Sequence, residues 1–479
     1  MSVDVKSEQS QFQMGPRPID GEAFELVPVD GTAVPSHSQT STAPGSTYNL
    51  NPLLEADVVV LPPVDEGIQA WTFVFCSFIL ECLVWGFPFS YGVFQEWYLS
   101  HPPFEDASEA SINAIGTVTL AIQYIEGIGV MLVTQRFPHW TKTMMVASLV
   151  VCVGALVVSS FATKVWHLIA LQGVVYGVAG GALYMPVVVW LSEWFVTKRS
   201  FAGSFIFGGS GLGGAGFPVL ANFLLQRVGF RWTIRAMALI VCVFGGAALF
   251  GVKPRLPVAR NTTPPPLSFK FLTSPIFICV AVTVFVQALA FFPVSLYIPS
   301  YAASLGYSRL NGTLALATFN LATVVGQILF GYYCDVGPYT AVMVLSGTIA
   351  AVLAYALWGF AHTLALVYVF AVLFGGISGG FSSIWPPAAA EVYGAQPFSP
   401  FLFFAIAKGL AAISGPFIAA SLHPVRIENI TSSPLGPGSN GWAGYGFTAI
   451  TIFVGSMMLA TTGLSVLSAV VRTRYKEKV

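Results

Sequence analysis

The chain is divided into about twelve stretches of predominantly apolar residues, each roughly 20 residues long, the length of helix needed to cross a bilayer. Charged residues make up only 9% of the 479 residues and hydrophobic residues 55%, too few charges to cover the surface of a soluble protein. The sequence therefore predicts an all-α membrane protein with twelve transmembrane helices. The predicted spans are residues 69–92, 112–134, 143–162, 168–191, 201–224, 232–251, 275–299, 312–333, 340–361, 364–389, 401–422 and 444–470.

The fifth predicted span is dense in glycine. Residues 193–218, EWFVTKRSFAGSFIFGGSGLGGAGFP, contain seven glycines, and each would cost a helix in water about 1 kcal/mol relative to alanine. Inside a bilayer an unsatisfied backbone costs more, so the segment stays helical and its glycines let neighbouring helices approach closely. Residues 211–216 also match G-x-G-x-x-G, but no strand precedes them. We predict a helix-packing surface rather than a dinucleotide site.

The apolar spans fall into two groups of six. Residues 1–66 are rich in serine, threonine, proline and acidic residues, which is typical of a disordered tail. Residues 252–274, with three consecutive prolines and four basic side chains, separate six spans from six. The predicted domains are a cytoplasmic tail (1–66), an N-terminal six-helix bundle (67–251), a cytoplasmic linker (252–274), a C-terminal six-helix bundle (275–471) and a cytoplasmic tail (472–479).

An internal echo supports a duplication of the six-span unit. Two glycines, then proline, then glutamate recur in the same order in the fourth and tenth spans, although the spacings differ by a residue or two. The echoing residues are Gly180, Gly181, Pro186 and Glu193 in the first unit, and Gly379, Gly380, Pro386 and Glu391 in the second.

The distribution of lysine and arginine predicts the orientation in the membrane. With the N-terminus inside, fourteen of these residues lie on the cytoplasmic side and six on the outer side, and cytoplasmic loops normally carry the excess. Both termini are therefore predicted to be cytoplasmic, in the plasma membrane. The sequon at Asn429 then lies in an outer loop, where it can be glycosylated.

Several classes of function are excluded or disfavoured by composition and motifs. The formal net charge of zero excludes a general nucleic-acid binder. The six cysteines lie in or beside apolar runs without a C-x-x-C motif, which indicates neither a metal site nor a disulfide framework. Neither H-E-x-x-H, nor a Walker loop, nor G-x-S-x-G occurs. We predict no enzyme activity, no cofactor and no metal.

Several motifs occur in the order of one transporter family. They are Asp65-Glu66-Gly67 before Trp71, Trp194-Phe195 before Lys198-Arg199 and Gly208, Gly229-Phe230-Arg231 before Arg235, Pro293 to Gly306, and Asn320, Gly326, Gly331 and Asp335. Together they resemble the monocarboxylate-porter branch of the major facilitator superfamily in its fungal form, over roughly residues 65–470. The resemblance implies two parallel six-helix bundles that rock around a central cavity facing the first, seventh, eighth and tenth helices.

The chain lacks charged residues at positions of the first and eighth helices where that family has them. Animal monocarboxylate carriers have a lysine in the first helix and an aspartate and an arginine in the eighth. The corresponding residues here are Phe89, Thr323 and Gln327. A buried carboxylate needs a fixed cation or several donors, so these departures argue against simple proton–lactate symport.

Three ionisable residues within spans are candidates for coupling or binding. Glu81 and Glu126 lie in the first and second spans, where an ionised carboxylate is costly, so each is either a proton carrier or a protonated acid hydrogen-bonded between helices. Lys408 in the eleventh span could bind an anionic substrate, pair with a glutamate, or extend to the interface.

Aromatic and amide side chains are the candidates for lining the cavity. Trp85 and Phe89 share one helical face, and the pocket they suggest would be amphipathic, although each aromatic residue alone is also typical of a core or lipid-facing position. The full set is Trp85, Phe89, Tyr297, Asn320, Thr323, Gln327, Phe381 and Ser383. By resemblance, the residues that brace and gate the cytoplasmic helix ends are Arg136, Lys198, Arg199 and Asp335.

These observations favour a secondary active transporter that moves a small organic solute by alternating access. The favoured function is efflux of a weakly acidic or neutral secondary metabolite, with protons as the candidate coupling ion. The alternative is proton-coupled uptake of a monocarboxylate or a riboflavin-like nutrient, and a non-transporting receptor or a membrane-embedded enzyme is more remote. The expected partners are the substrate, protons and the lipid bilayer, with the monomer as the functional unit.

Overall fold

Helices make up almost all of the computed structural model, which describes residues 61–257, 269–393, 398–422, 442 and 446–476. The α-helices are α1 (Ile68–Phe89), α2 (Tyr91–Ser100), α3 (Glu109–Ile125), α4 (Gly127–Arg136), α5 (Thr141–Ser159), α6 (Val165–Leu168), α7 (Tyr176–Trp194), α8 (Arg199–Gly251), α9 (Pro275–Ser304), α10 (Arg309–Val336), α11 (Tyr339–Val352), α12 (Leu364–Gly379), α13 (Trp385–Val392), α14 (Phe398–Leu422) and α15 (Thr448–Lys476). Short 3₁₀ turns cover Pro138–Trp140, Lys270–Thr273, Trp358–Phe360 and Gly380–Ile384, and π-helical turns cover Ile169–Val175 and Leu353–Leu357.

Twelve membrane spans follow from the helices that the structure describes. Ten helices are long and apolar enough to cross a bilayer, and the pair α3 and α4, bent by 42°, adds one more. The 53 residues of α8 would reach about 80 Å at 1.5 Å per residue, more than twice the hydrocarbon thickness. At Gly229 its backbone leaves the helical region, with φ 69° and ψ 174°. Because glycine adopts a positive φ without strain, α8 turns there and forms two spans.

Glycine lets α8 lie directly on α1 within the N-terminal half (α1–α8). A Cβ atom added to Gly213 would lie 2.9 Å from the Cα atom of Gly86, and one on Gly209 would lie 2.9 Å from the Cβ atom of Glu81. Side chains of ordinary size would hold the two helices apart. The prediction that residues 193–218 form a helix-packing surface is therefore confirmed.

The C-terminal half (α9–α15) is built on the same kind of contact. Gly326 of α10 lies so close to α12 that an added Cβ atom would be 2.9 Å from the Cα atom of Gly376. The apolar core of this half includes the buried side chains of Tyr301, Trp358 and Phe374.

The two halves meet along α8 and α10, and again along α3 and α14. A Cβ atom on Gly211 would lie 2.7 Å from the carbonyl oxygen of Asn320, and the side-chain amide of Asn320 donates to the carbonyl oxygen of Gly214 at 2.9 Å. Across the second contact, Gly409 of α14 accommodates the ring of Tyr124. Helix α8 thus packs tightly against its own half on one side and against the partner half on the other.

The echoing glutamates occupy equivalent positions. Glu193 at the end of α7 accepts hydrogen bonds from the backbone N–H groups of Arg255 (2.9 Å) and Leu256 (3.1 Å), just after α8. Glu391 in α13 accepts from the guanidinium of Arg472 near the end of α15, at 2.8 Å. Each glutamate therefore ties the fourth span of its half to the end of the sixth, as a duplication would produce.

Parts of the predicted domain plan fall outside the described residues. These are residues 1–60 of the tail, 258–268 of the linker, and the loop around the candidate glycosylation site Asn429. The last residues of the predicted tail are described, and there the carbonyl oxygen of Pro62 accepts a hydrogen bond from Arg255 at 2.8 Å. The exact domain limits stay predictions.

We expect Gly213→Ala to destabilise the protein by roughly 1–3 kcal/mol, the usual penalty of an overpacked contact, because the new methyl group meets the backbone of α1. Gly216→Ala on the same helix is the matched control, since nothing lies within 4 Å of a Cβ atom there. The measurement is the melting temperature of each purified variant in detergent. Equal melting temperatures for the two variants would contradict the glycine contact.

Candidate functional site

Glu81 of α1 lies against α7 and α8, beside Tyr184 and Gly209. Glu81 is only 4% exposed. Its carboxylate faces the hydroxyl of Tyr184 and the indole nitrogen of Trp85. None of the three atoms Glu81 Oε2, Trp85 Nε1 and Tyr184 OH has a hydrogen-bond partner within normal geometry. Leaving a buried polar group unpaired costs about 1–3 kcal/mol, so three together mark a site with unused binding capacity.

Lys408 reaches the same region from α14 in the C-terminal half. Its ammonium donates to Ser382 Oγ at 2.9 Å and lies over the ring of Trp385, 5.1 Å from the centroid. It interacts electrostatically with Glu81, yet in the part of the chain that the structure describes no direct ion pair joins them. An ammonium has three donors, so Lys408 retains donor capacity toward the centre.

Two further aromatic residues complete what we call the central cluster, defined as Glu81, Trp85, Tyr124, Tyr184, Trp385 and Lys408. The ring of Tyr124 lies 4.7 Å from that of Trp85, and the indole nitrogen of Trp385 is buried without a partner. The cluster draws on α1, α3 and α7 of one half and on α13 and α14 of the other. A movement between the halves would therefore rearrange it.

Glu126 occupies a different place. It lies at the break between α3 and α4, and both carboxylate oxygens are buried without a hydrogen-bond partner. The side chain fits against Gly181 of α7, where any Cβ atom would overlap it. Of the three ionisable candidates, Glu81 and Lys408 therefore lie in the same region, whereas Glu126 lies elsewhere, within the N-terminal half.

Two of the predicted cavity hydroxyls are already used inside the C-terminal half. Thr323 Oγ1 donates to the carbonyl oxygens of Phe319 (3.1 Å) and Gly375 (3.0 Å). Ser383 Oγ donates to the carbonyl oxygen of Gln327 at 2.8 Å. These bonds hold neighbouring spans together, which explains the hydroxyls without a ligand.

The other predicted cavity residues are distributed between the interface and the C-terminal half. Phe89 stacks on Trp85 with ring centroids 6.0 Å apart, and Gln327 is buried with its Oε1 atom unpaired. Phe381 is 1% exposed within the main apolar core, and Tyr297 packs edge-on against Phe447. A substrate role for this set stays a prediction.

Asp335 at the end of α10 links the two halves at what we call the Asp335 face, the end of the bundle at residues 65, 194–201 and 335. Its two carboxylate oxygens accept hydrogen bonds from the backbone N–H groups of Ser200 (2.9 Å) and Phe201 (2.8 Å) in the first turn of α8. A negative charge is stabilising at a helix N-terminus. An acid of the C-terminal half therefore caps a helix of the N-terminal half.

The predicted basic gating residues differ in their surroundings. Arg199 donates through Nε to the carbonyl oxygen of Phe195 at 3.1 Å and interacts electrostatically with Asp65 and Asp335. The side chains of Lys198 and Arg136 are exposed. Arg199 is thus integrated into the Asp335 face, and a gating role for all four predicted residues stays a prediction.

Asp65 is a residue that sequence reasoning did not place in the site. Its carboxylate accepts hydrogen bonds from the backbone N–H groups of Val196 (2.9 Å), Thr197 (3.0 Å) and Lys198 (3.0 Å). Burial alone would raise the pKa of Asp65, but these bonds outweigh it and hold the pKa below its ordinary value. Its signal in the sequence was the motif Asp65-Glu66-Gly67 ahead of the first span, but the residues that it binds lie far along the chain.

The opposite end of the bundle carries a second link between the halves. Glu96 of α2 and Arg309 of α10 form an ion pair, which defines the Arg309 face. Their side chains are 52% and 86% exposed, so the pair contributes about 1 kcal/mol at most.

Sequence reasoning missed this pair, and likewise Tyr124, Tyr184 and Trp385 of the central cluster. Tyr184 and Trp385 do lie beside the echoing prolines, which could have drawn attention to them.

Comparison with known proteins matches the Major Facilitator Superfamily model to residues 73–416. The MFS transporter asaE of Aspergillus flavus is 27% identical over 418 residues, which covers 86% of this chain and 90% of that protein. The agnestins efflux protein AgnL12 of Paecilomyces divaricatus is 26% identical, covering 91% of this chain and 92% of its own. The crystal structure of the human organic anion transporter MFSD10 is similar in fold, with a TM-score of 0.59 and 14% identity over 83% of this chain and 99% of that chain. The predicted fold of two six-helix bundles is confirmed.

We expect Asp335→Ala to open the Asp335 face, because loss of a helix cap costs about 0.5–2 kcal/mol. The probe is a cysteine at Ser192, which borders a cleft lined by α7, α8, α13 and α14. Its rate of labelling by a charged maleimide, corrected for the native cysteines, should rise roughly tenfold. Asp106→Ala, which removes an exposed carboxylate, is the control. An unchanged labelling rate at Ser192→Cys would contradict the role of Asp335 in holding the Asp335 face closed.

We expect Asp65→Asn to lower the melting temperature at neutral pH, since hydrogen bonds to a charged acceptor contribute about 1.5–3 kcal/mol. Because the folded-state pKa is depressed, the stabilisation is present above the unfolded-state value of about 3.9 and is lost as the pH falls through the folded-state value. The difference between wild type and Asp65→Asn should therefore shrink in strong acid. Asp106→Asn should show no such convergence, and a pH-independent difference for Asp65→Asn would show that its charge is not responsible.

Proposed function

Because the chain belongs to the Major Facilitator Superfamily, we propose that it exports a weakly acidic or neutral organic secondary metabolite by alternating access. The chain is a multi-pass membrane transporter rather than an enzyme. Export is supported by relatives of similar length that are named as efflux proteins, such as AgnL12. The observation that carries the proposal is the central cluster, to which both halves contribute buried, unpaired polar groups.

Alternating access is supported by the two links at opposite ends of the bundle. At the Asp335 face the carboxylate of Asp335 caps α8, and at the Arg309 face an exposed ion pair joins α2 to α10. Each link is worth about 2 kcal/mol or less, which is within the few kcal/mol that separate interconverting conformations. Breaking one link while keeping the other would open the central cluster to one side at a time.

Proton coupling is assigned to Glu81. The groups that face it are Cys82 on its own helix, Tyr124 of α3, Tyr184 of α7 and Lys408 of α14. Only Lys408 among these is a cation, and it makes no direct ion pair with Glu81 within the described part of the chain. A buried carboxylate so weakly compensated takes up a proton readily when the site opens to an acidic solution. Inward proton movement through Glu81 would then drive export of the solute.

The finer assignments belong to the same proposal. We assign the chain to the monocarboxylate-porter branch of the superfamily, because of the motifs around residues 194–208 and 320–335. The protein resides in the plasma membrane with both termini in the cytoplasm, as the excess of lysine and arginine favours, and it acts as a monomer. The Asp335 face is then cytoplasmic and the Arg309 face is outside.

The test is transport in proteoliposomes that contain the full chain, with a panel of organic acids, flavins and polyketide-like compounds, with and without a pH gradient. We expect Glu81→Gln to lose stimulation of transport by the pH gradient, since the amide cannot be protonated. Glu126→Gln is measured in parallel, and Glu105→Gln, an exposed carboxylate, is the control. If Glu81→Gln keeps full stimulation, the assignment of coupling to Glu81 is wrong, whatever the result for Glu126→Gln. If wild type moves no compound in the panel, the transport proposal fails.

A further inference from the structure

We infer that the central cluster binds a flat aromatic hydroxy-carbonyl compound, whose O–H group donates to Glu81 and whose oxygen atoms accept from Trp85, Tyr184, Trp385 and Lys408. The inference rests on the proposed function, because it names the chemical class of the exported solute. It is carried by the match between the unpaired atoms of the site and the groups that such a compound presents.

The unpaired atoms are mostly donors. Trp85 Nε1 and Trp385 Nε1 can only donate, and both are buried without a partner. The hydroxyl of Tyr184 is buried and unpaired as well, and Lys408 uses one of its three donors on Ser382. A ligand that satisfies this set must carry several acceptor oxygens, as conjugated carbonyl compounds do.

The site offers one strong acceptor. Glu81 Oε2 is buried without a partner, and a carboxylate forms its strongest hydrogen bonds with acidic O–H donors such as phenols and enols. A ligand without an O–H group would leave this oxygen only the donors of Tyr184 and Trp85, which face it without a hydrogen bond of normal geometry, and sites built around such groups reject analogues that lack the matching donor. The carboxylate therefore selects hydroxylated ligands over their ethers.

The walls of the site are aromatic faces. Trp85 stacks on Phe89 with ring centroids 6.0 Å apart, and the ring of Tyr124 is tilted against Trp85 at 4.7 Å. On the other half, Lys408 lies over both Trp385 (5.1 Å) and Phe291 (5.7 Å). Flat rings stack on such surfaces at little entropic cost. A planar ligand would take the place of these ring contacts when the halves separate.

The same geometry makes ligand and proton compete. Ionised Glu81 accepts a hydrogen bond from the ligand's O–H group most strongly, whereas a proton on Glu81 weakens that acceptor. Binding of one therefore disfavours binding of the other, which is the requirement for exchange of an outgoing solute against an incoming proton.

The experiment measures binding of 7-hydroxyflavone and 6-hydroxy-2-naphthaldehyde, and of their O-methyl ethers, to the full chain in nanodiscs, with empty nanodiscs as the blank. The parents should bind wild type roughly tenfold more tightly than the ethers, the loss expected for one strong hydrogen bond. Tyr184→Phe and Trp385→Phe, each of which removes one donor and keeps the ring, should weaken the parents by about three- to tenfold. Lys408→Met should weaken them at least as much, with partial recovery in Lys408→Arg.

Trp358→Phe is the matched control. The indole nitrogen of Trp358 is also buried without a partner, but it lies in the core of the C-terminal half away from the central cluster. Its removal should leave probe binding unchanged. Melting temperatures of all variants separate lost binding from lost folding, and the two single-donor variants provide independent tests if one of them fails to fold.

Three results would overturn the inference: ethers that bind as tightly as their parents, no binding of either parent, or single-donor variants that bind like wild type. These results leave the transport proposal intact if wild type still moves another compound of the panel in proteoliposomes. The transport proposal fails by itself only if no compound is moved.

Discussion

Direct contact between helix backbones holds this protein together. Lipid tails are as apolar as leucine, so a bilayer supplies no hydrophobic force between helices, and close packing must replace it. Helix α8 achieves this on two sides, through Gly209 and Gly213 against α1 and through Gly211 against α10. The same contact positions the chemistry, because the Cβ atom of Glu81 packs where Gly209 has none. A contact without interlocking side chains also leaves two packed surfaces free to move against each other.

The strength of the contacts varies in a way that suits such movement. The halves pack closely along α8 and α10, and at the two ends the described residues add a helix cap at Asp335 and an exposed ion pair between Glu96 and Arg309. Between these links lies a polar cluster whose members cannot all be satisfied by one another. Weak links at the ends of the bundle and unpaired polar groups between them are expected of a transporter that opens, binds its solute and closes.

The sequence predicted the parts of this structure that depend on local pattern. Apolar run length predicted the spans, the glycine content of residues 193–218 predicted the close packing, and the echo of Glu193 and Glu391 anticipated their equivalent contacts. Glu81 and Lys408 were identified because a charge within a span is costly wherever it lies. Each of these signals can be read without knowledge of which residues meet.

What the sequence could not predict depends on contacts between distant residues. Asp65 caps a loop more than 130 positions away, and the donors of Tyr184 and Trp385 matter only because they converge on Glu81 and Lys408. Thr323 and Ser383 show the reverse: their polarity suggested a cavity, but nearby carbonyl oxygens already accept their hydrogen bonds. A hydroxyl in a membrane span has the same appearance in the sequence whether it binds a ligand or a neighbouring helix.

The central claim is that the two halves rock about the α8–α10 contact, so that the two ends of the bundle open in turn. Its most direct test is a pair of spin-label distances measured by double electron–electron resonance in nanodiscs, between positions 196 and 336 at the Asp335 face and between positions 92 and 310 at the Arg309 face. The account predicts that a change from alkaline to acidic conditions lengthens one distance and shortens the other. Two distances that stay fixed, or that change in the same direction, would contradict it.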